Sequence, residues 1–170
     1  WTNMGASANA SQFSQEIRLA SPKDDTFEYV VGAYYFKGSV GNNLFYNYGP
    51  QADAWFGLPV GALSNVSSKM PSKVSTDSYA VFGQGTWHLN PQWDLTLGLR
   101  GTYEEKTGRV KRYEPTGDSV TGAALAARNA RLGAYDSGNL KISGSSPSGM
   151  ASISYKVNPD LMVYSSHTHG

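Results

Sequence analysis

The chain has 170 residues, a formal net charge of +1 and no cysteine, so its length favours a single domain and a disulfide or zinc–cysteine framework is excluded. Hydrophobic residues make up 39% and charged residues 16% of the chain, and both shares are lower than in ordinary soluble domains. No apolar run is long enough for a transmembrane helix, and the near-neutral charge argues against a nucleic-acid partner.

The ends of the sequence lead us to expect a piece of a larger fold. Trp1 opens the sequence without the basic and apolar segments of a signal peptide, and Gly170 follows directly after a strand-like run at 161–166. We therefore expect the sequence to be cut at both ends.

Six strands are predicted, in three pairs that are each joined by a short turn. The pairs are 11–20 with 27–38, 77–89 with 93–106, and 148–157 with 161–169. The turns carry Pro, Asn and Asp, which favour tight turns because Pro fixes φ and the Asn and Asp side chains bond their own backbone.

Two long stretches, 39–76 and 107–147, separate these pairs and are rich in Gly, Ser, Asn and Pro. Loops of this length are uncommon inside a compact domain. Within the second stretch, the Ala, Leu and Arg residues of 121–134 predict one helix that stops near Gly133. Short turns at one edge of a sheet and long loops at the other are typical of a transmembrane β-barrel, with periplasmic turns and extracellular loops.

Apolar and polar residues alternate along the best strand, 93–104, as expected for a wall between lipid and water. The side chains that we predict to line the lumen are Glu16, Arg18, Asp94, Arg100 and Glu104. The alternation is poor over 27–38, where Tyr34 falls on the polar face, and ambiguous over 161–169, so the facing of these two strands stays open.

Aromatic residues lie near both ends of the predicted strands, where Trp and Tyr favour the level of the lipid headgroups. The residues predicted to form these membrane girdles are Tyr79, Trp87, Trp93 and Tyr103. A half-buried sheet of a soluble sandwich is the alternative, because its inner face is also apolar.

The strand sequences resemble the barrel of TonB-dependent outer-membrane receptors. The segments that carry the resemblance, in the order of the family, are 13–22, 28–36, 79–89, 95–100, 103–106, 146–150 and 155–166. The resemblance implies an all-β, antiparallel up-and-down transmembrane β-barrel segment, with about six strands of a larger, 22-stranded barrel. It also implies that the plug domain, the TonB box and the closing strand lie outside residues 1–170.

The same resemblance implies a receptor in the outer membrane of a Gram-negative bacterium that takes up a ferric siderophore or a similar scarce chelate. Its partners would be this ligand, outer-membrane lipid and lipopolysaccharide, and the TonB complex through the missing N-terminal part; no cofactor and no nucleic acid are expected. A passive porin or surface adhesin is the alternative, followed by a soluble carbohydrate-binding β-sandwich.

Candidate ligand contacts lie in the two predicted loops. Exposed aromatic residues suit a bulky, partly apolar chelate, and a basic rim suits an anionic one. The aromatic candidates are Tyr46, Tyr48, Trp55 and Phe56, and the basic candidates are Arg109 and Arg112, with Lys111, Arg128 and Arg131 nearby. The alternatives are that the aromatic side chains pack on one another, and that the basic ones meet lipopolysaccharide or solvent.

Chemistry beyond binding is not predicted. His167 and His169 could reach one metal ion, but no third ligand is near in the sequence, so we predict no metal site. No nucleophile, base and acid occur in a recognisable arrangement, and no Gly-rich phosphate loop opens a helix. The sequence therefore predicts no enzyme.

Overall fold

The computed structural model describes residues Thr2–Gly170, and most of them lie in strands. The elements are β1 (Thr2–Ala20), β2 (Phe27–Tyr48), α1 (Ala52–Phe56), β3 (Ser67–His88), β4 (Trp93–Arg112), α2 (Gly122–Leu132), β5 (Tyr135–Asp136), β6 (Leu140–Asn158) and β7 (Leu161–His169). Among these residues, neither helix has the length and apolar content needed to cross a bilayer.

Apart from the short β5, strands that follow one another in the sequence are neighbours in the sheet. The order is β1-β2-β3-β4-β6-β7, and the short β5 pairs with the end of β4. β6 and β7 are antiparallel, with Tyr155 opposite Val163. This order confirms the predicted all-β, antiparallel up-and-down fold and the three predicted strand pairs.

The short turns are stabilised by hydrogen bonds to the Asp and Asn side chains from which the turns were predicted. Asp24 Oδ1 accepts the backbone N–H of Thr26 at 2.7 Å, and Asn90 Oδ1 accepts that of Trp93 at 3.0 Å. Asn158 Oδ1 accepts the N–H of the residue two positions on at 2.9 Å. Each turn thus satisfies backbone donors locally, which is why Asp and Asn mark it in the sequence.

The predicted bounds of the loops, 39–76 and 107–147, are wrong because the strands extend far into both. The strand ends that lie beyond the predicted strands are Thr2 of β1, Tyr48 of β2, Ser67 of β3, Arg112 of β4 and Leu140 of β6. The long connections are therefore 49–66 and 113–139. The extensions mix apolar residues with polar and charged ones, such as Lys69, Lys73 and Arg109, without a regular apolar alternation, and their backbone groups still pair across the ladder.

The helix predicted at 121–134 is confirmed as α2. Its buried residues are Ala124, Arg128 and Leu132, four positions apart and hence on one helical face. The single turn α1 is not predicted by the sequence, since five residues are too few to show a helical period.

The chain divides into two compact units. The strand unit consists of residues 12–37, 76–105 and 142–170, and the loop unit consists of residues 2–11, 38–75 and 106–141. The loop unit has a small core made of Ala52, Leu63, Val66 and Leu132, against which Tyr48 and Leu58 pack.

Candidate functional site

The strand unit has two chemically different faces. The hydroxyl oxygens of Thr86 and Thr96 are 3.0 Å apart, and Lys156 Nζ lies 3.1 Å from Asp94 Oδ2. Because alternate residues of a strand share a face, these contacts place the even-numbered residues of β3, β4 and β6 together on what we name the polar face. The odd-numbered residues form the opposite, apolar face.

The structure decides the facing of β2, which hydropathy leaves open. The guanidinium carbon of Arg100 lies 5.7 Å from the centroid of the Tyr34 ring, so Tyr34 belongs to the polar face. Tyr35, the next residue, lies 5.0 Å from Tyr79 between ring centroids on the apolar face. An aromatic ring on the polar face is therefore explained by its contact with a cation.

The facing of β7 follows from its register. Val163 is opposite Tyr155, whose ring centroid lies 4.6 Å from that of Trp93 on the apolar face. His167 and His169 lie at the same spacing and share this face. Within Thr2–Gly170, no group of three or more His, Asp or Glu side chains could hold a metal ion.

A charged cluster on the polar face joins four strands beside the short turns. His88 Nδ1 lies 2.6 Å from Asp94 Oδ1, and His88 Nε2 lies 3.7 Å from Glu28 Oε1. Lys156 Nζ contacts the second oxygen of Asp94 at 3.1 Å. The carboxylate of Asp94 thus bonds to side chains of both neighbouring strands, and this cluster connects the strands of the sheet.

The other predicted lumen residues also share the polar face. Arg18 forms an ion pair with Glu16, and its guanidinium carbon lies 5.8 Å from the centroid of the Phe82 ring. Arg100 and Glu104 are four positions apart on β4 and so lie on the same side of the strand. The exposure of these residues to a barrel lumen stays a prediction.

All four residues predicted for the aromatic girdles lie on the apolar face: Tyr79, Trp87, Trp93 and Tyr103. Beside the short turns, Trp87 contacts Phe27 and Trp93 contacts Tyr155, with centroid distances of 4.7 and 4.6 Å. Tyr79 and Tyr103 lie farther along the same strands and border a shallow groove of about 720 Å³. Their position at the two surfaces of a bilayer stays a prediction.

In the loop unit, a buried carboxylate organises the connection between β2 and β3. Asp53 is 5% exposed; its Oδ1 accepts the N–H of Leu63 at 2.5 Å and its Oδ2 accepts that of Gly61 at 2.6 Å. Burial alone would raise the pKa of Asp53, but these bonds and those from Ser64 outweigh it and hold the pKa below its usual value. The carboxylate therefore stays ionised and fixes the loop backbone.

A buried guanidinium links the two long connections of the loop unit. Arg128 of α2 is 6% exposed and donates to the carbonyl oxygens of Ala62, Asp118 and Gly61 at 3.0, 2.8 and 2.5 Å. Its guanidinium is buried and bonds to carbonyl oxygens inside the fold, so Arg128 is not part of an exposed basic rim. Its position four residues from Ala124 and from Leu132, on the apolar face of α2, is the sequence signal that could have identified it.

Three of the four predicted aromatic ligand contacts lie close together. The ring centroids of Tyr46 and Tyr48 are 6.4 Å apart, and those of Tyr48 and Phe56 are 6.2 Å apart. Both tyrosines belong to β2 rather than to a loop. Trp55 makes no such ring contact among the described residues; it is 85% exposed and borders, with Phe56 and Gln51, an open groove of about 820 Å³.

The two predicted basic contacts lie on β4 and are already engaged. Arg109 holds Asp136 through Nε–Oδ1 and Nη2–Oδ2 contacts of 2.9 and 2.5 Å. This pair, with the N–H of Gly138, lowers the pKa of Asp136 to about 2. Arg112 donates to the carbonyl of Arg131 at 3.1 Å. Contact of Arg109 and Arg112 with a ligand stays a prediction. A ligand bound there would have to compete with these hydrogen bonds.

Comparison with known proteins connects this architecture to one family. Residues 2–170 match the family described as TonB dependent receptor-like, beta-barrel. Among curated proteins, none matches the chain.

Two solved receptors share the fold. The chain is similar to the ferric yersiniabactin uptake receptor FyuA of Yersinia pestis, with a TM-score of 0.66 and 18% identity, over 97% of this chain and 21% of that one. It is also similar to the ferric-catecholate import receptor Fiu of E. coli K12, with a TM-score of 0.59 and 14% identity, over 95% of this chain and 25% of that one. The chain thus spans between a fifth and a quarter of the length of these receptors.

Proposed function

Because the chain belongs to the TonB-dependent receptor β-barrel family, we propose that it contributes barrel wall and ligand-capturing loops to an active outer-membrane transporter of a ferric siderophore or a similar chelate. The family consists of receptors of the Gram-negative outer membrane and not of enzymes. The observation that carries the proposal is the match of residues 2–170 to the receptor barrel.

The class of ligand is inferred from the two similar structures. One is a receptor for uptake of ferric yersiniabactin and the other a receptor for import of ferric catecholates. A ferric chelate is therefore the ligand that we assign to this chain as a proposal.

The apolar face of the strand unit is proposed to meet the lipid. Ile17 is 73%, Val81 66% and Leu99 75% exposed, and contiguous apolar surface of this kind is costly in water. Acyl chains of the outer membrane would cover it, with Trp87 and Trp93 at one headgroup level.

The polar face is proposed to line the wet interior of the barrel. Asp94, His88 and Lys156 would be costly in hydrocarbon, whereas a lumen accepts them. The ion pair between Arg18 and Glu16 supports the same assignment, since both side chains extend from one side of β1.

The loop unit is proposed to capture the ligand at the cell surface. Trp55 and Phe56 offer aromatic surface to an apolar or catechol-like chelate, and Tyr46 and Tyr48 extend that surface. Asp53 fixes the backbone of this connection, so the aromatic surface is held in one shape before the ligand arrives. Arg109 and Arg112 are proposed as a rim that meets an anionic chelate or lipopolysaccharide.

Transport beyond capture is proposed to depend on parts of the protein outside residues 1–170. By family, a plug would receive the ligand from the loops, and the TonB complex would drive its rearrangement. The chain itself would supply the wall along which the ligand moves.

Uptake of radioactive iron tests the proposal. Gram-negative cells that produce the full-length protein are supplied with a panel of ferric siderophores, with and without a functional TonB complex. We expect accumulation of at least one chelate that requires TonB, and recovery of the protein with the outer-membrane fraction. Recovery with soluble proteins, or a large steady conductance in planar bilayers as in an open porin, would contradict it.

The loop surface is tested by Trp55→Ala. We expect the affinity of cells for the transported chelate to fall about tenfold, because Trp is enriched among the contact residues whose truncation costs more than about 1 kcal/mol. Val60→Ala is the matched control, since Val60 is 91% exposed in the same connection. Equal affinities of the Trp55 and Val60 variants would remove Trp55 from the ligand site.

A further inference from the structure

A second concave site lies in the strand unit, where residues of the polar face border it. It is a groove of about 490 Å³ that extends across β3, β4, β6 and β7. The lining residues whose side chains belong to this face are Phe82, Gln84, Arg100, Ser148, Met150 and Thr168; Leu99 and His169, which belong to the apolar face, also line it. The groove is open because Gly98 has no side chain: a Cβ there would lie 3.7 Å from Met150 Cε and 3.8 Å from Gln84 Cγ.

Arg100 differs from the other cations of this face in having neutral partners. Its Nε donates to Thr102 Oγ1 at 3.1 Å, and its guanidinium lies 5.7 Å from the Tyr34 ring centroid. Arg18, by contrast, is paired with Glu16. Among the described residues, the contacts of Arg100 thus orient the guanidinium without neutralising its charge.

This arrangement is suited to a planar anion. The bond to Thr102 occupies Nε, so the terminal nitrogens of Arg100 are left to form two parallel hydrogen bonds, the geometry that matches a carboxylate. The Tyr34 ring limits the rotation of the guanidinium plane. The amide of Gln84 and the hydroxyl of Ser148 border the same groove and could donate to a bound oxygen.

We propose that this groove is a carboxylate-binding subsite of the barrel wall, with Arg100 as the residue that binds a carboxylate-bearing small molecule on its way through the lumen. The inference rests on the proposed function for access to the polar face. An acidic side chain from another part of the protein is the competing occupant, and it would keep a free carboxylate out.

Citrate is the probe, and the full-length protein purified in detergent is the sample. Isothermal titration is expected to show citrate binding that weakens with added salt. Arg100→Gln is expected to reduce the affinity about tenfold or more, as hydrogen bonds to a charged group predict. Arg18→Gln is the matched control on the same face and is expected to stay within about twofold of the unmodified protein.

A second variant keeps the test decisive if Arg100→Gln disturbs folding. Gln84→Glu retains the size of the side chain and adds a carboxylate to the groove, which should pair with Arg100 and weaken citrate binding to a similar extent. A shift in gel mobility on heating confirms that each variant is a folded barrel. No citrate binding, or equal affinity in the Arg100, Gln84 and Arg18 variants, would overturn the subsite.

The outcomes separate this inference from the proposed function. If iron uptake depends on TonB but the affinity for citrate is unchanged by Arg100→Gln, only the subsite is overturned. Citrate binding that requires Arg100, in a protein that takes up no ferric chelate, overturns the transport proposal and leaves the subsite as a carboxylate site of the wall.

Discussion

The loop unit contains a small core of fully buried apolar side chains, although others such as Trp55 stay exposed, whereas Ala80 is the only buried apolar residue among the described residues of the strand unit. Leu63 and Val66 of the loop unit are 1% and 0% exposed, while Ile17 and Leu99 of the strand unit are 73% and 75% exposed. The first unit is thus stabilised by internal burial, as a small soluble domain is. The second has a hydrogen-bonded ladder and, in the proposed membrane location, lipid that covers its apolar face.

The two units also use charge differently. In the loop unit, Asp53 and Arg128 are buried and bond to backbone groups, so they fix the path of the chain. In the strand unit, Asp94 and Lys156 bond to each other or to other side chains across strands on one face. Loss of a charge should therefore unfold a loop in the first unit and loosen a wall contact in the second.

The largest expected effect is that of Arg128→Met on the loop unit. Removing the guanidinium leaves buried carbonyl oxygens without donors, at a cost of roughly 3–5 kcal/mol in total. Limited proteolysis of outer membranes that contain the protein should cut the connections 49–66 and 113–139 much faster, while the strands stay protected. Arg131→Met, on the exposed side of α2, is the control; equal cleavage of both variants would show that Arg128 does not hold the unit together.

A somewhat smaller effect is expected for Leu97→Arg in the strand unit. A cation at the middle of a lipid-facing strand costs roughly 2–4 kcal/mol. The free energy of unfolding from lipid vesicles measures it, with Thr96→Arg on the opposite face as the matched variant. If both substitutions destabilise the protein equally, the assignment of the two faces is wrong.

Acid should weaken the loop unit. The pKa values of Asp53 and Asp136 are lower in the folded protein than in the unfolded chain, and that of Asp136 is about 2. Their stabilisation is therefore complete above about pH 4 and is lost as the pH falls toward 2. Denaturant midpoints followed by near-ultraviolet circular dichroism should show this loss, and Asp53→Asn should flatten the profile. A profile unchanged by that substitution would contradict the role of Asp53.

The smallest expected effect is at a turn of the strand unit. Asn90→Ala removes the side-chain acceptor of the Trp93 N–H and should lower the free energy of unfolding by about 1 kcal/mol. Gln92→Ala, in the same turn, should leave it within experimental error. Identical midpoints for the two variants would indicate that the strands, and not the side chain of Asn90, determine this turn.

Sequence reasoning was most successful where the physical cause is local. The turn at Asn90 depends on a residue three positions away, and the alternation of Leu95, Leu97 and Leu99 depends on the two-residue repeat of a strand. Helix α2 follows from the helix propensities of its own residues. The bounds of the loops were missed because the pairing of polar strand residues requires a neighbouring strand and leaves no mark in hydropathy.

The candidate site was recovered only in part. The aromatic residues near Phe56 could be chosen from the sequence because large aromatic side chains in a polar stretch are unusual. The four-residue spacing of Ala124, Arg128 and Leu132 marks Arg128 as a candidate for burial, but its hydrogen-bond partners could not be chosen from the sequence, since they include the carbonyl oxygens of Gly61 and Ala62, far away in the sequence.

By itself, the sequence determined the all-β class, the order of the strands, the short turns and the family, because each follows from contacts between near residues or from a pattern that recurs along the chain. Only the tertiary structure decided how far the strands extend, which face of β2 carries Tyr34, and which arginines bond to other groups of the fold. The reason is physical: a side chain is buried, paired or left charged by the groups that surround it, and for Arg100 and Arg128 those groups come from different strands and loops.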